Sequence, residues 1–151
     1  MSLSKERNYL LYLLAKQDYS RHQLSIRLHK RENITSEEID NLLDIFEKNK
    51  WLSDERFAEI FIFSELNKLR GRKRIMNTAI YNKGLAKDLV NLTLENANAD
   101  WFDLCKKRLD KKYKNIELLQ TDLKLRQKAV NYLAYNGFDY EQISFAIKGE
   151  I

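Results

Sequence analysis

Proline is missing from this 151-residue chain, and glycine occurs only four times. An average soluble chain of that length carries roughly seven prolines and ten glycines. Proline breaks helix interiors and marks turns, while glycine supplies positive φ, so losing both excludes a sheet protein rich in tight turns. One cysteine, Cys105, excludes an internal disulfide and any zinc site built from paired cysteines. No apolar h-region follows the basic start, and no run of about 18 apolar residues occurs, so no membrane span is expected. These absences predict a soluble, intracellular protein, which in a bacterium means a cytoplasmic one. Histidine is scarce too: His22 and His29 are seven residues apart, whereas metal ligands on a helix sit three or four apart. The pair reads as surface polar residues, and no cofactor or metal is expected. Four scattered glycines cannot build a phosphate-binding loop.

What remains is 44% hydrophobic and 32% charged, which suits helices with one apolar stripe and a wide solvated face. The formal net charge of +5 is clustered. Lys68, Arg70, Arg72, Lys73 and Arg74 fall within seven residues, and six basic residues lie between Lys106 and Lys114 against Asp110 alone. Such clusters favour an anionic partner, nucleic acid first, against the alternative of a solvated helix face. Asp54, Glu55 and Glu59 open a helix, where acids offset the helix dipole, and are not read as a catalytic carboxylate set. Cys105 shares the apolar side of its helix with Trp101 and Leu109 and reads as a small buried residue. Nothing supports an enzyme.

The strongest signal is internal repetition. Asn33-Ile34, Gly84-Leu85 and Gly137-Phe138 each place a left-handed helix stop before one large apolar residue, and the apolar members are 51 and 53 residues apart. Trp51 and Trp101 are 50 apart. A period near 50 fits three short helices per unit. Ser20 with Gln23, Thr35 with Glu38 and Asp139 with Gln142 form capping-box patterns, and Ser53 reads as a further N-cap. Between these signals Ile39, Leu42, Leu43 and Phe46 recur at helical spacing, as do Ile143, Ala146 and Ile147. The pattern predicts helices at about 4–17, 20–31, 35–49, 53–69, 72–82, 86–97, 100–113, 121–136 and 140–149. The fold class is therefore all-α, with three tandem three-helix repeats at 1–51, 52–99 and 100–151 forming an elongated, curved body. The helix from Ser53 to Leu69 carries Phe57, Ile60, Phe61, Ile62, Phe63, Leu66 and Leu69, and is expected to pack on more than one side. The alternative is an exposed partner-binding face.

These residues carry a family resemblance. Asp18-Tyr19-Ser20-Arg21-His22-Gln23-Leu24 with Arg27-Leu28 resembles the opening repeat of the RecX family, bacterial regulators of the recombinase RecA. Trp51-Leu52-Ser53-Asp54-Glu55-Arg56-Phe57-Ala58 is similar to the family's most recognisable motif. Arg74-Ile75 with Asn82-Lys83-Gly84-Leu85 resembles its second-repeat signature. Tyr132-Leu133 through Asn136-Gly137-Phe138, with Gln142-Ile143, resembles its third. The resemblance covers about residues 5 to 148. Asn33 stands where many relatives have glycine, Gly71 is what remains of a glycine-rich stretch, and Asn136 stands where a basic residue is frequent.

The resemblance implies a monomeric, non-catalytic regulator, most simply an inhibitor. Its partner would be the RecA filament on single-stranded DNA, with effects on strand exchange, ATPase and co-protease activity in DNA repair and the SOS response. Direct binding of single- or double-stranded DNA is the alternative, and a generic helical adaptor with another partner is a third reading. The candidate binding residues are Arg21, Lys30 and Arg31 in the first unit and Lys68, Arg70, Arg72, Lys73 and Arg74 in the second. Leu52, Phe57 and Ala58 are assigned to the core.

Overall fold

Helix starts fall where the side chains can satisfy the free amides. Ser20 accepts from the Gln23 amide while the Gln23 side chain accepts from the Ser20 amide, and Thr35/Glu38 and Asp139/Gln142 repeat that reciprocal pair. Ser53 accepts from the Arg56 amide at 3.1 Å. Each such cap is worth about 1 kcal/mol. Gly84 and Gly137 stop their helices in the left-handed region, with φ of 69° and 98°. Asn33 is left-handed too, at 63°, but it does not stop a helix as its spacing predicts: the helix before it already ends at His29, capped by Lys30, and Asn33 lies in the loop beyond. Lys50 and Leu69 are left-handed as well, without the Gly or Asn that would have marked them in the sequence, and so is Asn98, the cap of the helix that ends at Ala97.

The computed structural model describes residues 3–149. In order, the helices are α1 (Ser4–Lys16), α2 (Arg21–His29), α3 (Ser36–Lys48), α4 (Asp54–Asn67), α5 (Arg72–Asn77), α6 (Lys87–Ala97), α7 (Trp101–Lys112), α8 (Leu118–Thr121), α9 (Leu123–Tyr135) and α10 (Tyr140–Lys148). The protein is all-α, as its sequence predicts. Most boundaries fall within about two residues of those expected, and two stretches differ in kind. The helix expected at 72–82 changes character at Thr78, where a π-helical segment runs to Asn82 and the Lys83 amide donates five residues back to the Thr78 carbonyl. The helix expected from 121 starts at Leu123, behind a short extra helix. Asp122 ends α8 with φ −98° and ψ 100° and caps α9 through the Leu125 amide. Arg126 then reaches back to the Leu119 and Gln120 carbonyls at 2.6 and 2.7 Å, satisfying the end of α8.

Three hydrophobic cores follow along the chain. The first joins Leu10, Leu24, Leu28, Ile39, Leu43 and Phe46 of α1–α3 and extends to Leu52. The second joins Phe57, Ala58, Ile62, Ile75, Leu85 and Val90, with Trp101 packed against it. The third joins Cys105, Leu109, Leu119, Leu133, Phe138 and Ile143. Leu52, Phe57 and Ala58 are buried as assigned. The apolar helix α4 is not covered on several sides, however. Phe57, Ala58 and Ile62 face the core, but Ile60 and Phe63 are 55% and 66% exposed. The buried stripe also contains Glu65, at 2% exposure.

One type of joint connects consecutive cores twice. Between the first and second, Ser20 at the start of α2 donates its hydroxyl to the Lys83 carbonyl at 2.6 Å, beside Gly84. The Arg21 amide donates to Asp54 at 2.8 Å, and Arg56 pairs with Asp18 at 2.9 Å. Between the second and third, the Gly71 amide donates to the Asn136 carbonyl at 2.7 Å, beside Gly137, and the Lys73 amide donates to the Gly137 carbonyl at 3.2 Å. Ser20 and Gly71 are 51 residues apart, Lys83 and Asn136 are 53, so the sequence period becomes a repeated contact. The second joint is backbone on backbone. A Cβ on Gly71 would lie 2.3 Å from the Gly137 carbonyl carbon, which accounts for a glycine at 71 despite its ordinary φ of −80°.

Candidate interaction surface

The basic residues singled out in the sequence occupy two separate places and differ in how free their charges are. Arg21 is turned onto α3, where its guanidinium pairs with Asp44 at 2.7 Å and with Glu47, and donates to the Asp40 carbonyl at 3.2 Å. Burial disfavours its charge, but the bonds to Asp44 and Glu47 outweigh that and raise its pKa further. Arg31 bonds Glu6 at 3.3 Å and lies 4.8 Å from the Tyr9 ring centre. Lys30 is exposed.

The second group lies at the junction of α4, α5 and α9. Arg70 forks onto both oxygens of the buried Glu65 at 2.8 and 2.7 Å, and Lys68 approaches the same carboxylate at 3.6 Å. Two cations there share one anion, and Arg70 compensates a charge that burial would otherwise make costly. Arg72 donates to Asn91 at 3.1 Å, while its Nε is buried with no hydrogen-bond partner among the described residues. Arg74 donates to the Asn136 side chain at 2.8 Å and lies 5.3 Å from the Tyr135 ring centre. Asn136, 1% exposed, thus receives a basic residue from the neighbouring core. Lys73 is exposed and forms no ion pair among the described residues.

The fold adds residues that the sequence reading placed in a separate cluster. Arg108 of α7 donates to the Lys68 carbonyl at 2.7 Å and lies 5.4 Å from the Tyr132 ring centre. Lys112, one turn on, stands 4.1 Å over the same ring. Tyr132 and Tyr135 are three apart on α9, so one helix face carries Arg108 and Lys112 against one ring and Arg74 against the other. Tyr135 is 77% exposed. The two basic clusters of the sequence therefore meet on a ridge of cations interleaved with tyrosines. The sequence held the signal in the Tyr132–Tyr135 spacing, but nothing local indicated that α7 lies beside it. Lys106 and Lys107 are paired with Asp110 and Asp103 at 2.9 and 3.0 Å and add less free charge.

Other chemistry is sparse. Among the described residues no three His, Cys, Asp or Glu side chains gather as a metal site. His22 packs its ring on Gly84, and His29 places Nδ1 2.7 Å from the Ser25 carbonyl. Burial, and then the nearby charge of Asp139, push the Cys105 thiol up to about 12. Burial raises Asp54 as well, against the lowering effect of the Arg21 amide that it accepts. Among the described residues no helix is long and apolar enough to cross a membrane.

These features describe an all-α protein whose three successive cores are locked by a turn-on-cap joint and which carries a basic, tyrosine-lined ridge. The comparisons place it more narrowly. Residues 98–147 match the family model described as RecX, third three-helix domain. A regulatory protein RecX of Actinobacillus pleuropneumoniae serotype 5b is 35% identical over 137 residues, 91% of this chain and 87% of that protein. Another, from Haemophilus influenzae strain 86-028NP, is 31% identical over 91% of this chain and 89% of its own length. The crystal structure of RecX from Lactobacillus salivarius superposes with a TM-score of 0.77 at 20% identity, covering 97% of this chain and 94% of that one. A crystal structure of regulatory protein RecX gives 0.78, covering 97% and 73%. The chain belongs to the RecX family.

Proposed function

We propose that this chain is a monomeric, cytoplasmic inhibitor of the recombinase RecA. It binds the RecA–single-stranded DNA filament and restrains strand exchange, ATP hydrolysis and co-protease activity. Supporting this reading is the family membership over nine-tenths of the chain together with the ridge of Arg74, Arg108 and Lys112 on Tyr132 and Tyr135. Cations set against aromatic rings suit a nucleoprotein surface, where phosphates meet the charge and unstacked bases meet the rings. Units at 1–51, 52–99 and 100–151 would form an elongated body able to follow a filament groove. Of the candidate residues, Lys73 and Arg74 are best placed to act with this ridge. Arg70 and Arg21 spend their charge on carboxylates of the same chain, so their effect on binding should be small.

The test is RecA's DNA-dependent ATPase on single-stranded DNA, titrated with this protein at substoichiometric ratios. Inhibition that weakens when Lys73, Arg108 and Lys112 are neutralised together supports the proposal. An unaffected ATPase in the presence of folded protein refutes it. The tyrosine-lined ridge also favours a second reading, direct binding of DNA. Contacts to about five phosphates of a single strand would give a slope near −3.5 in log K against log salt. No affinity for bare DNA would remove that reading.

A further inference from the structure

A trough between α4 and α6, closed at one end by the start of α7, has a character opposite to that of the ridge. It measures about 630 Å³, and its lining runs from Glu55 to Asn67 on α4 and from Leu89 to Ala97 on α6. The α4 side alone extends about 18 Å, three helical turns. Ile62, Leu66, Leu89 and Leu104 form its floor, and Phe63 and Leu92 rise from it at 66% and 55% exposure. Among the described residues no lysine, arginine or histidine lines it, in a chain of net charge +5, whereas Glu55, Glu59, Asp100 and Asp103 do. Asp100 caps α7 and Asp103 pairs with Lys107, but Glu59 forms no ion pair among the described residues.

We propose that this trough is a docking groove for a basic amphipathic helix of a partner protein. Three turns of floor match an apolar stripe at i, i+3, i+4 and i+7, and the carboxylates along the rim match lysines and arginines flanking that stripe. A compact ligand fits less well, because the apolar surface is spread along two helices and stands proud at Phe63 and Leu92. The groove shares no lining residue with the cation–tyrosine ridge, so the two surfaces are tested by different substitutions.

The probe is a synthetic helical peptide of about 14 residues, about 21 Å long, with leucines on one stripe and lysines beside them. Its counterpart carries glutamates in place of the lysines. Binding is followed by amide chemical shifts of the full-length isotope-labelled protein and by peptide fluorescence anisotropy. The lysine peptide is expected to shift amides along 59–67 and 89–97 and to bind at least about tenfold more tightly than the glutamate peptide at low salt. Leu92→Asp and Phe63→Asp, both at exposed positions, should each weaken it at least about tenfold while circular dichroism is unchanged. Shifts confined to other surfaces, equal binding of the two peptides, or indifference to both substitutions would overturn the proposal. So would a concentration-dependent dimer, seen without peptide and lost in Leu92→Asp, which would assign the groove to a second copy of the chain.

Discussion

Replacing Gly71 with alanine tests the joint between the second and third cores. Gly71 has φ −80° and ψ 163°, which alanine adopts freely, so conformational strain is not the issue. The methyl group would instead stand 2.3 to 2.6 Å from Gly137 and Phe138 backbone atoms, which cannot turn away as a side-chain tip can. Relief requires the two strands of chain to separate. That stretches the Gly71–Asn136 and Lys73–Gly137 backbone bonds and the Arg74–Asn136 contact. Neutral bonds contribute about 0.5–1.5 kcal/mol each and one to a charged group about 1.5–3. Alanine also stabilises by about 0.4–1 kcal/mol through the unfolded chain. The expected net cost is about 2–5 kcal/mol. Urea denaturation measures it, and amide exchange at Gly71 and Lys73 should accelerate. Gly149→Ala is the control, since its φ is 76° but its Cβ would meet open space, leaving a strain cost of about 1 kcal/mol. If Gly71→Ala stays within about 0.5 kcal/mol of the parent with unaltered exchange, the joint is not the tight backbone contact described.

Arg70→Ala leaves Glu65 buried with only Lys68 at 3.6 Å and should cost about 3 kcal/mol, the low end for a broken buried pair. Adding Glu65→Leu should recover most of the loss in thermal unfolding. Gly84→Ala combines positive φ with a Cβ 2.2 Å from the His22 ring, so it should destabilise, and His22→Ala should restore only the steric part in a double-mutant cycle. Cys105 should react slowly with a thiol-specific disulfide at pH 8 until urea unfolds the chain. Its thiol pKa is higher folded than unfolded, so its contribution is full below the ordinary value of 9.0 and is lost as pH rises toward about 12. Alkaline titration followed by circular dichroism checks that direction.

Features that depend on a few neighbouring residues could be read directly from the chain. Capping at Ser20, Thr35, Ser53 and Asp139 is a bond to an amide three residues on, and the left-handed conformations at Asn33, Gly84 and Gly137 depend on the residue present, although only the two glycines stop a helix. Both were legible, as were the helical apolar stripes and the period they repeat with. The stops at Lys50 and Leu69 were not, because neither residue type favours a left-handed turn, and Asn98, a type that does, was passed over. Tertiary structure alone decided how the charges are used. Sixty-two residues separate Arg74 from the Asn136 that binds it, and forty separate Arg108 from the Lys68 carbonyl, so no local pattern could show that two basic clusters share one tyrosine-lined ridge. It likewise decided that α4, apolar around most of its circumference, is covered along one stripe only. Burial depends on which distant helix arrives, and here α6 covers Ile62 while leaving Phe63 and Leu92 exposed.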